Sequence, residues 1–215
     1  MKVGILGSGD VAKALGTGFV TLGHEVRLGS RTADNPKATD WAKTTHGKGS
    51  TGTFADAAAF GDIVVLATLG VATEEAIRAA GPSHFDGKVV IDATNPLAFS
   101  AEGLPSLAIG HTSSAGEVHQ KALPKAHVVK AFNTVGNTLF FRPSLPQGPP
   151  TMFICGNDAA AKKKVEQILH DFGWPSVVDF GGIDGSRELE AMCIAWVKSA
   201  IALHDFKIAF KLLKA

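Results

Sequence analysis

The chain has 215 residues, 45% of them hydrophobic and 19% charged, with a formal net charge of +1. That is chain for one sizeable domain, or one with a short appendage, in the balance of a globular protein rather than a disordered or fibrous one. A nearly neutral chain carries no strong field toward nucleic acid or a membrane surface, and no apolar run approaches the ~20 residues of a membrane helix, so neither partner is expected.

The amino terminus reads as a strand, Lys2 to Leu6, rather than a signal peptide, because its apolar stretch ends at once in Gly7-Ser8-Gly9. A cytoplasmic location is therefore expected. Asp10 to Leu22 has helical spacing, with Val11, Leu15, Gly18 and Phe19 on one face and Gly23 as the stop. Glu25 to Leu28 reads as a second strand, and Pro36 opens a helix running to about Thr45. Asp62 to Ala67 is a near-continuous apolar run, as a strand buried on both faces requires. Helix is expected at Thr73–Ala80 and 114–122, strand at Lys88–Ile91 and His127–Phe132. Arg142 to Pro150 carries four of the ten prolines and reads as a loop. Thr151–Cys155 is a strand; Asn157 can cap a helix to about Phe172, stopped by Gly173; Val177–Phe180 is the last strand. Gly185 to Leu213 reads as one long helical segment, with Leu189, Met192, Trp196, Val197 and Ala200 on one stripe and Leu203, Phe206, Phe210 and Leu213 on a rotated one. Strands alternating with helices at this spacing imply an α/β fold of the Rossmann type, a doubly wound and mostly parallel sheet with a long C-terminal helix. The expected division is a nucleotide-binding unit with its extension over 1–182, and a helical segment over 183–215 packed on that unit or on the partner of a homodimer.

Gly7-Ser8-Gly9-Asp10-Val11-Ala12 lies between a strand and a helix and matches G-x-G-x-x-A. Gly7 permits the tight turn, Gly9 lets a pyrophosphate approach the backbone, and Ala12 keeps helix and strand close. The helix start then offers unpaired N–H groups to phosphates. An NAD site places a carboxylate at the tip of the second strand. Here the tip reads Leu28-Gly29-Ser30-Arg31-Thr32, with a fixed cation and two hydroxyls. That composition suits a 2′-phosphate, so NADP(H) is the expected cofactor. Lys37 is a further candidate cation. The cofactor set is Gly7, Ser8, Gly9, Asp10, Val11, Ser30, Arg31 and Thr32, with Thr68, Leu69, Gly70, Asn95 and Pro96 from later strand ends, since parallel sheets bind ligands at their carboxyl rims.

Asn133 and Thr134 follow the next strand and reach the same rim; with Asn95 they are the candidate catalytic residues, orienting a nicotinamide or a hydride acceptor. Hydride transfer to a conjugated ring is mainly a matter of positioning and needs no strong acid or base. There is no tyrosine for a Tyr-x-x-x-Lys pair and no nucleophile elbow. The two cysteines, Cys155 and Cys193, form no C-x-x-C pair, and no metal-ligand spacing appears. His46, His84, His119, His127 and His170 read as surface or helix-end residues, and His204 as packing in the terminal helix.

These motifs, with Leu22-Gly23-His24-Glu25-Val26, Asp92-Ala93-Thr94-Asn95-Pro96 and Lys130-Ala131-Phe132-Asn133-Thr134, resemble the NADPH-dependent deazaflavin (coenzyme F420) reductase family, the F420-dependent NADP oxidoreductases. The resemblance runs over essentially the whole chain and extends to the cytoplasmic domain of membrane ferric reductases. It implies NADP held by Ser30 and Arg31, usually in a homodimer, with a small-molecule hydride acceptor. Ser8, Asn133 and Arg187 are the substrate-binding candidates, Arg187 toward an anionic acceptor. The sequence departs from deazaflavin-using members at Asn133, where they carry His, and near Ala191 and Cys193, where they carry hydroxyls. The expected activity is NADP(H)-dependent hydride transfer to a second conjugated ring, with coenzyme F420 or a flavin as co-substrate. Two alternatives stand beside it: an NADPH-dependent reductase of a small carbonyl, imine, quinone or ferric chelate, and a non-enzymatic NADP sensor.

Overall fold

The computed structural model describes residues 1–101, 103 and 105–214. Among the described residues, ten strands and seven α-helices follow in the order β1 (Lys2–Leu6), α1 (Asp10–Thr21), β2 (Glu25–Ser30), α2 (Pro36–Lys43), β3 (Gly49–Thr53), α3 (Phe54–Phe60), β4 (Ile63–Leu66), α4 (Thr73–Ala80), β5 (Val89–Asp92), β6 (Leu97–Phe99), β7 (Pro105–Leu107), α5 (Ala115–Ala122), β8 (His127–Lys130), β9 (Thr151–Gly156), α6 (Ala159–Asp171), β10 (Ser176–Asp179) and α7 (Ser186–Leu203). Eight strands form one sheet in the order β10-β9-β8-β5-β4-β1-β2-β3, and β6 pairs with β7 in a separate antiparallel hairpin. Every pairing in the large sheet is parallel except that of β8 with β9. This is the doubly wound Rossmann architecture, with its long C-terminal helix.

The strand pleat sorts side chains between two cores. Val3, Ile5, Ile63, Val65, Ile91, Val129, Met152 and Ile154 face α1, α2 and α6, where Leu15, Phe19, Trp41, Val165 and Phe172 meet them. Leu6, Val64, Leu66, Val90 and Val128 face the opposite layer, with Ala57, Ala58, Ile77 and Leu123 from α3, α4 and α5. A third cluster forms where Leu189 of α7 meets Phe153 and Cys155 of β9. Close approach replaces bulk under α3: a Cβ added at Gly4 of β1 would stand 2.0 Å from the Ala57 carbonyl oxygen.

Several boundaries differ from the sequence expectation. Strand β3 reads Gly-Ser-Thr-Gly-Thr, offers no apolar alternation, and is a sheet edge paired with β2. Helix α3 has seven residues and is fixed by a capping box, Thr53 with Asp56. Helix α6 is capped by Asp158, not Asn157, whose Oδ1 accepts from the Ile183 N–H at 2.9 Å. Helix α7 stops at Leu203, where His204 takes a left-handed conformation (φ 51°) and is exposed. The tail then runs back over the domain. Ile208 O accepts from Trp196 Nε1 at 2.8 Å, Phe210 O accepts from the Thr151 N–H at 2.9 Å, and the Leu212 N–H donates to Thr151 Oγ1 at 3.1 Å.

Because the obstacle at Gly4 is backbone, Gly4→Ala is expected to destabilise the protein by about 3 kcal/mol, the upper range for overpacking. Urea denaturation checks this, and an unchanged midpoint would refute the tight β1–α3 contact.

Candidate functional site

The carboxyl ends of β1, β2, β4, β5 and β8 form one rim, and the chain reverses its winding at the neighbouring β1 and β4. At the centre, Gly7 adopts φ +142° and donates its N–H to Gly29 O at 2.8 Å, tying the tips of β1 and β2. A Cβ there would stand 2.4 Å from Ala67 O, so the position demands glycine on two counts. Gly9 is different: nothing lies within 4 Å of its would-be Cβ, and it caps α1 with no side-chain hydrogen bond. The first turn of α1 therefore presents its N–H groups to open space beside the turn, as a phosphate site requires. Ser8 is half-buried and Gly9 and Asp10 are exposed. Asp10 pairs with Lys13 at 2.7 Å, and that hydrogen bond and charge hold its carboxyl below the usual value, with a smaller pull from Lys37.

At the tip of β2, buried Ser30 donates its hydroxyl to Thr32 O at 2.5 Å, shaping the turn that carries exposed Arg31 and Thr32. Among the described residues, Arg31 has no ion-pair partner. Beyond β4, Gly70 abuts the next strand end: its Cβ would stand 2.0 Å from Asn95 O. Thr68 and Thr73 hydroxyls share a 2.8 Å hydrogen bond there, while Leu69 and Val71 project outward, 78% and 62% exposed.

Asn95 and Asn133 meet across β5 and β8. Asn95 Nδ2 donates to Asn133 O at 2.8 Å, and Asn133 Nδ2 donates to Asn95 Oδ1 and Leu189 O, both at 2.9 Å. Pro96 and Thr134 are buried beside them. The sequence-predicted residues of β1, β2, β4, β5 and β8 thus share one rim. Arg187 does not join them as a free cation: Nε and Nη2 grip the two Glu117 oxygens at 2.9 and 2.5 Å, clamping α7 to α5. That hydrogen bond holds the Glu117 carboxyl below its usual value.

Beneath the rim lies a charge cluster that the sequence reading missed. Lys130 Nζ sits 2.9 Å from Asp92 Oδ2 and 3.0 Å from Glu190 Oε1, and donates to Thr94 O at 2.9 Å. Asp92 Oδ1 accepts from the Thr94 N–H and hydroxyl at 2.9 and 2.7 Å. Glu190 accepts the Ala115 and Gly116 N–H groups, both at 3.0 Å, and so caps α5 from α7. His119 is buried, not a surface residue. Its Nδ1 lies 2.9 Å from Asp92 Oδ2, and because a carboxylate only accepts, Nδ1 carries the proton. Burial alone would raise the Asp92 carboxyl, but Lys130, His119 and Thr94 outweigh it and hold it far below the carboxylate range. Burial opposes the Lys130 charge, but Asp92 and Glu190 prevail and raise its pKa above the ordinary value. Nearby, burial pushes the Cys155 thiol up to about 11 and Cys193 to about 12, so both are neutral packing groups.

A crystal structure of a candidate F420-dependent NADP reductase from Arthrobacter sp. FB24 superposes on this chain with a TM-score of 0.95 at 35% identity, each chain covered in full (100%). The model of the family described as "NADP oxidoreductase coenzyme F420-dependent" matches residues 2–96. The chain belongs to the coenzyme F420-dependent NADP oxidoreductases. Within reach of this family, the F420-dependent NADP reductase of Methanocaldococcus jannaschii is 30% identical over 138 residues, 64% of this chain and 61% of that protein. The rat metalloreductase STEAP3 is 30% identical over 196 residues, 89% of this chain but 36% of that protein. The chain therefore spans roughly a third to three fifths of the length of these curated relatives. An NADPH-bound reductive aminase from Aspergillus terreus shares the fold, with a TM-score of 0.65 at 19% identity over 94% of this chain and 62% of that one. Among the described residues, no helix is long and apolar enough to cross a membrane.

Lys130→Met would strand two buried carboxylates and is expected to cost about 3–5 kcal/mol. Lys43→Met, which opens an exposed pair with Asp40, should change stability by less than about 0.5 kcal/mol. Equal effects in urea denaturation would refute the cluster's structural weight.

Asp92 adds a pH signature. Its folded pKa is depressed, so its contribution is complete above the unfolded value of about 3.9 and drains away as pH falls below it. Asp92→Asn, less stable near neutrality, should lose stability less steeply below about pH 4 than the wild type. Parallel acid profiles would contradict this.

Proposed function

We propose that the protein is an NADP(H)-dependent oxidoreductase that passes hydride between the nicotinamide and a second conjugated molecule, with coenzyme F420 or a flavin as the acceptor class. The observation that carries this reading is the start of α1: uncapped, with open space over Gly9, beside a strand tip that bears Arg31 and no carboxylate. The residues present fit the cofactor. Gly7, Ser8, Gly9, Asp10 and Val11 receive the pyrophosphate; Ser30, Arg31 and Thr32, with Lys37 nearby, receive the 2′-phosphate. Thr68, Leu69 and Gly70 line the ribose position, and Asn95, Pro96, Asn133 and Thr134 bound the nicotinamide half. When bound, NADPH would supply a hydride to the acceptor, which would also take up one proton from water.

The chain's own part in this step is positioning. Asn95 and Asn133 are locked to each other and to α7, so the rim presents fixed groups rather than a mobile acid or base. Exposed Leu69 and Val71 give the mouth an apolar lip suited to a flat ring. A second reading, reduction of a ferric chelate, draws support from the likeness to the metalloreductases. Assembly as a homodimer through the C-terminal helix is supported by exposed Ile201 and Leu203 at its end.

Arg31→Asp is the test of the cofactor. It should weaken NADPH binding by about 1.5–3 kcal/mol, roughly tenfold to a hundredfold, and leave NADH binding unharmed. Titration of both nucleotides checks this, and an unchanged preference for NADPH would overturn the assignment. Gly9→Ala should keep the melting temperature and weaken both nucleotides. Loss of NADPH absorbance with coenzyme F420, riboflavin and ferric citrate then ranks the acceptors; tight binding with no turnover of any would point instead to a sensor.

A further inference from the structure

The side-chain amide of Asn133 is held one way round. Its Nδ2 donates to two oxygens, Asn95 Oδ1 and Leu189 O, each at 2.9 Å. Turning the amide over would set Oδ1 against those same oxygens and forfeit both bonds. The Asn95 amide cannot turn to relieve this, because its Nδ2 is already engaged with Asn133 O at 2.8 Å. What remains is Asn133 Oδ1, a buried acceptor with no partner among the described residues, on a side chain whose residue is 3% exposed. Folded chains keep few such groups, and one at a ligand rim asks for a donor from the ligand.

The sheet order says which part of the ligand. From β1, the strands β2 and β3 lie on one side, with Arg31 at the tip of β2; β4, β5 and β8 lie on the other. A dinucleotide laid across the switch point puts its 2′-phosphate on the first side and its nicotinamide on the second, where Asn133 follows β8.

On the reading that NADP binds this rim, we propose that Asn133 is a pure acceptor whose Oδ1 receives an amide-type N–H from the bound pair, either the carboxamide NH2 of the nicotinamide or a ring N–H of the hydride acceptor. Asn133 then has no N–H left to polarise a substrate carbonyl. The residue selects ligands by a donor and leaves a simple ketone without an oxyanion contact at this point.

The test pairs ligands with and without that N–H. Wild type and Asn133→Ala are titrated with NADPH and with its 3-acetylpyridine analogue, in which a methyl group replaces the carboxamide nitrogen. If the carboxamide is the donor, the analogue binds wild type about tenfold more weakly than NADPH, and the variant binds the two alike. For the other source, riboflavin and N3-methylriboflavin are compared as acceptors at saturating NADPH. A preference of about tenfold for the unmethylated ring, confined to wild type, assigns the donor to the acceptor. If riboflavin is not reduced, the nucleotide pair alone decides. Ratios that are the same in wild type and variant overturn the proposal. Asn133→Leu, which fills the space under the rim, replaces the alanine variant if thermal unfolding shows the latter misfolded. Wild type that binds neither nucleotide defeats the NADP reading itself, a result distinct from binding both alike.

Discussion

Lys130 is buried where no water can solvate it, and the sheet's carboxyl rim is arranged around that fact. Taking an ammonium group out of water costs several kcal/mol, and only well-placed anions and carbonyls offset it. Asp92 from β5, Glu190 from α7 and the Thr94 carbonyl meet this need, and each brings a piece of chain with it. Through Glu190 the start of α5 is drawn in as well, and through Asp92 the ring of His119. The residue after Thr94 is Asn95, and the residue before Glu190 is Leu189, whose carbonyl holds Asn133. Asn95 and Asn133, the groups proposed to meet a ligand, thus each stand three residues beyond a buried charge, Asp92 and Lys130.

Much of the sheet is legible in the sequence because its signals are local. A β1 that ends in glycines, a β4 apolar along its whole length, and a Gly23 or Gly173 in a positive-φ turn each declare an element within a few residues. The missed elements lack such signals. Strand β3 has no side chain bulkier than threonine and owes its existence to the ladder of β2. Helix α3 is mostly alanine, though its Thr53-Phe54-Ala55-Asp56 start is a capping box in plain sight. At the carboxyl end, Phe206, Phe210 and Leu213 keep helical spacing although the backbone breaks at His204 and the tail returns to Trp196 and Thr151. Spacing records that side chains are apolar at intervals; it does not record which neighbour covers them.

The site divides along the same line. The glycine turn and the basic tip of β2 are contiguous stretches, so they could be read directly. The charge cluster draws Asp92, His119, Lys130 and Glu190 from four separate elements, and nothing in the neighbourhood of any one of them announces the others. One clue was available for His119: it stands four residues after Ala115 and three after Gly116, on the buried side of α5. Arg187 illustrates the converse, since a cation placed by sequence near a cleft is spoken for by Glu117, a carboxylate from another helix.

The single antiparallel step in the large sheet, between β8 and β9, has an architectural outcome. A parallel neighbour would oblige the chain to travel back along the sheet through a covering helix. Reversal removes that obligation, and residues 131–150 are released to fold over the end of the strands instead. The turns after β1, β2 and β4 make one half of the rim, and this released segment, tied to α7 through Asn133, makes the other. The two halves are separate modules of chain meeting at Asn95 and Asn133. On the proposed reading, changes in the released segment beyond Thr134 and in α7 would alter the choice of acceptor and leave the phosphate-binding turns as they are.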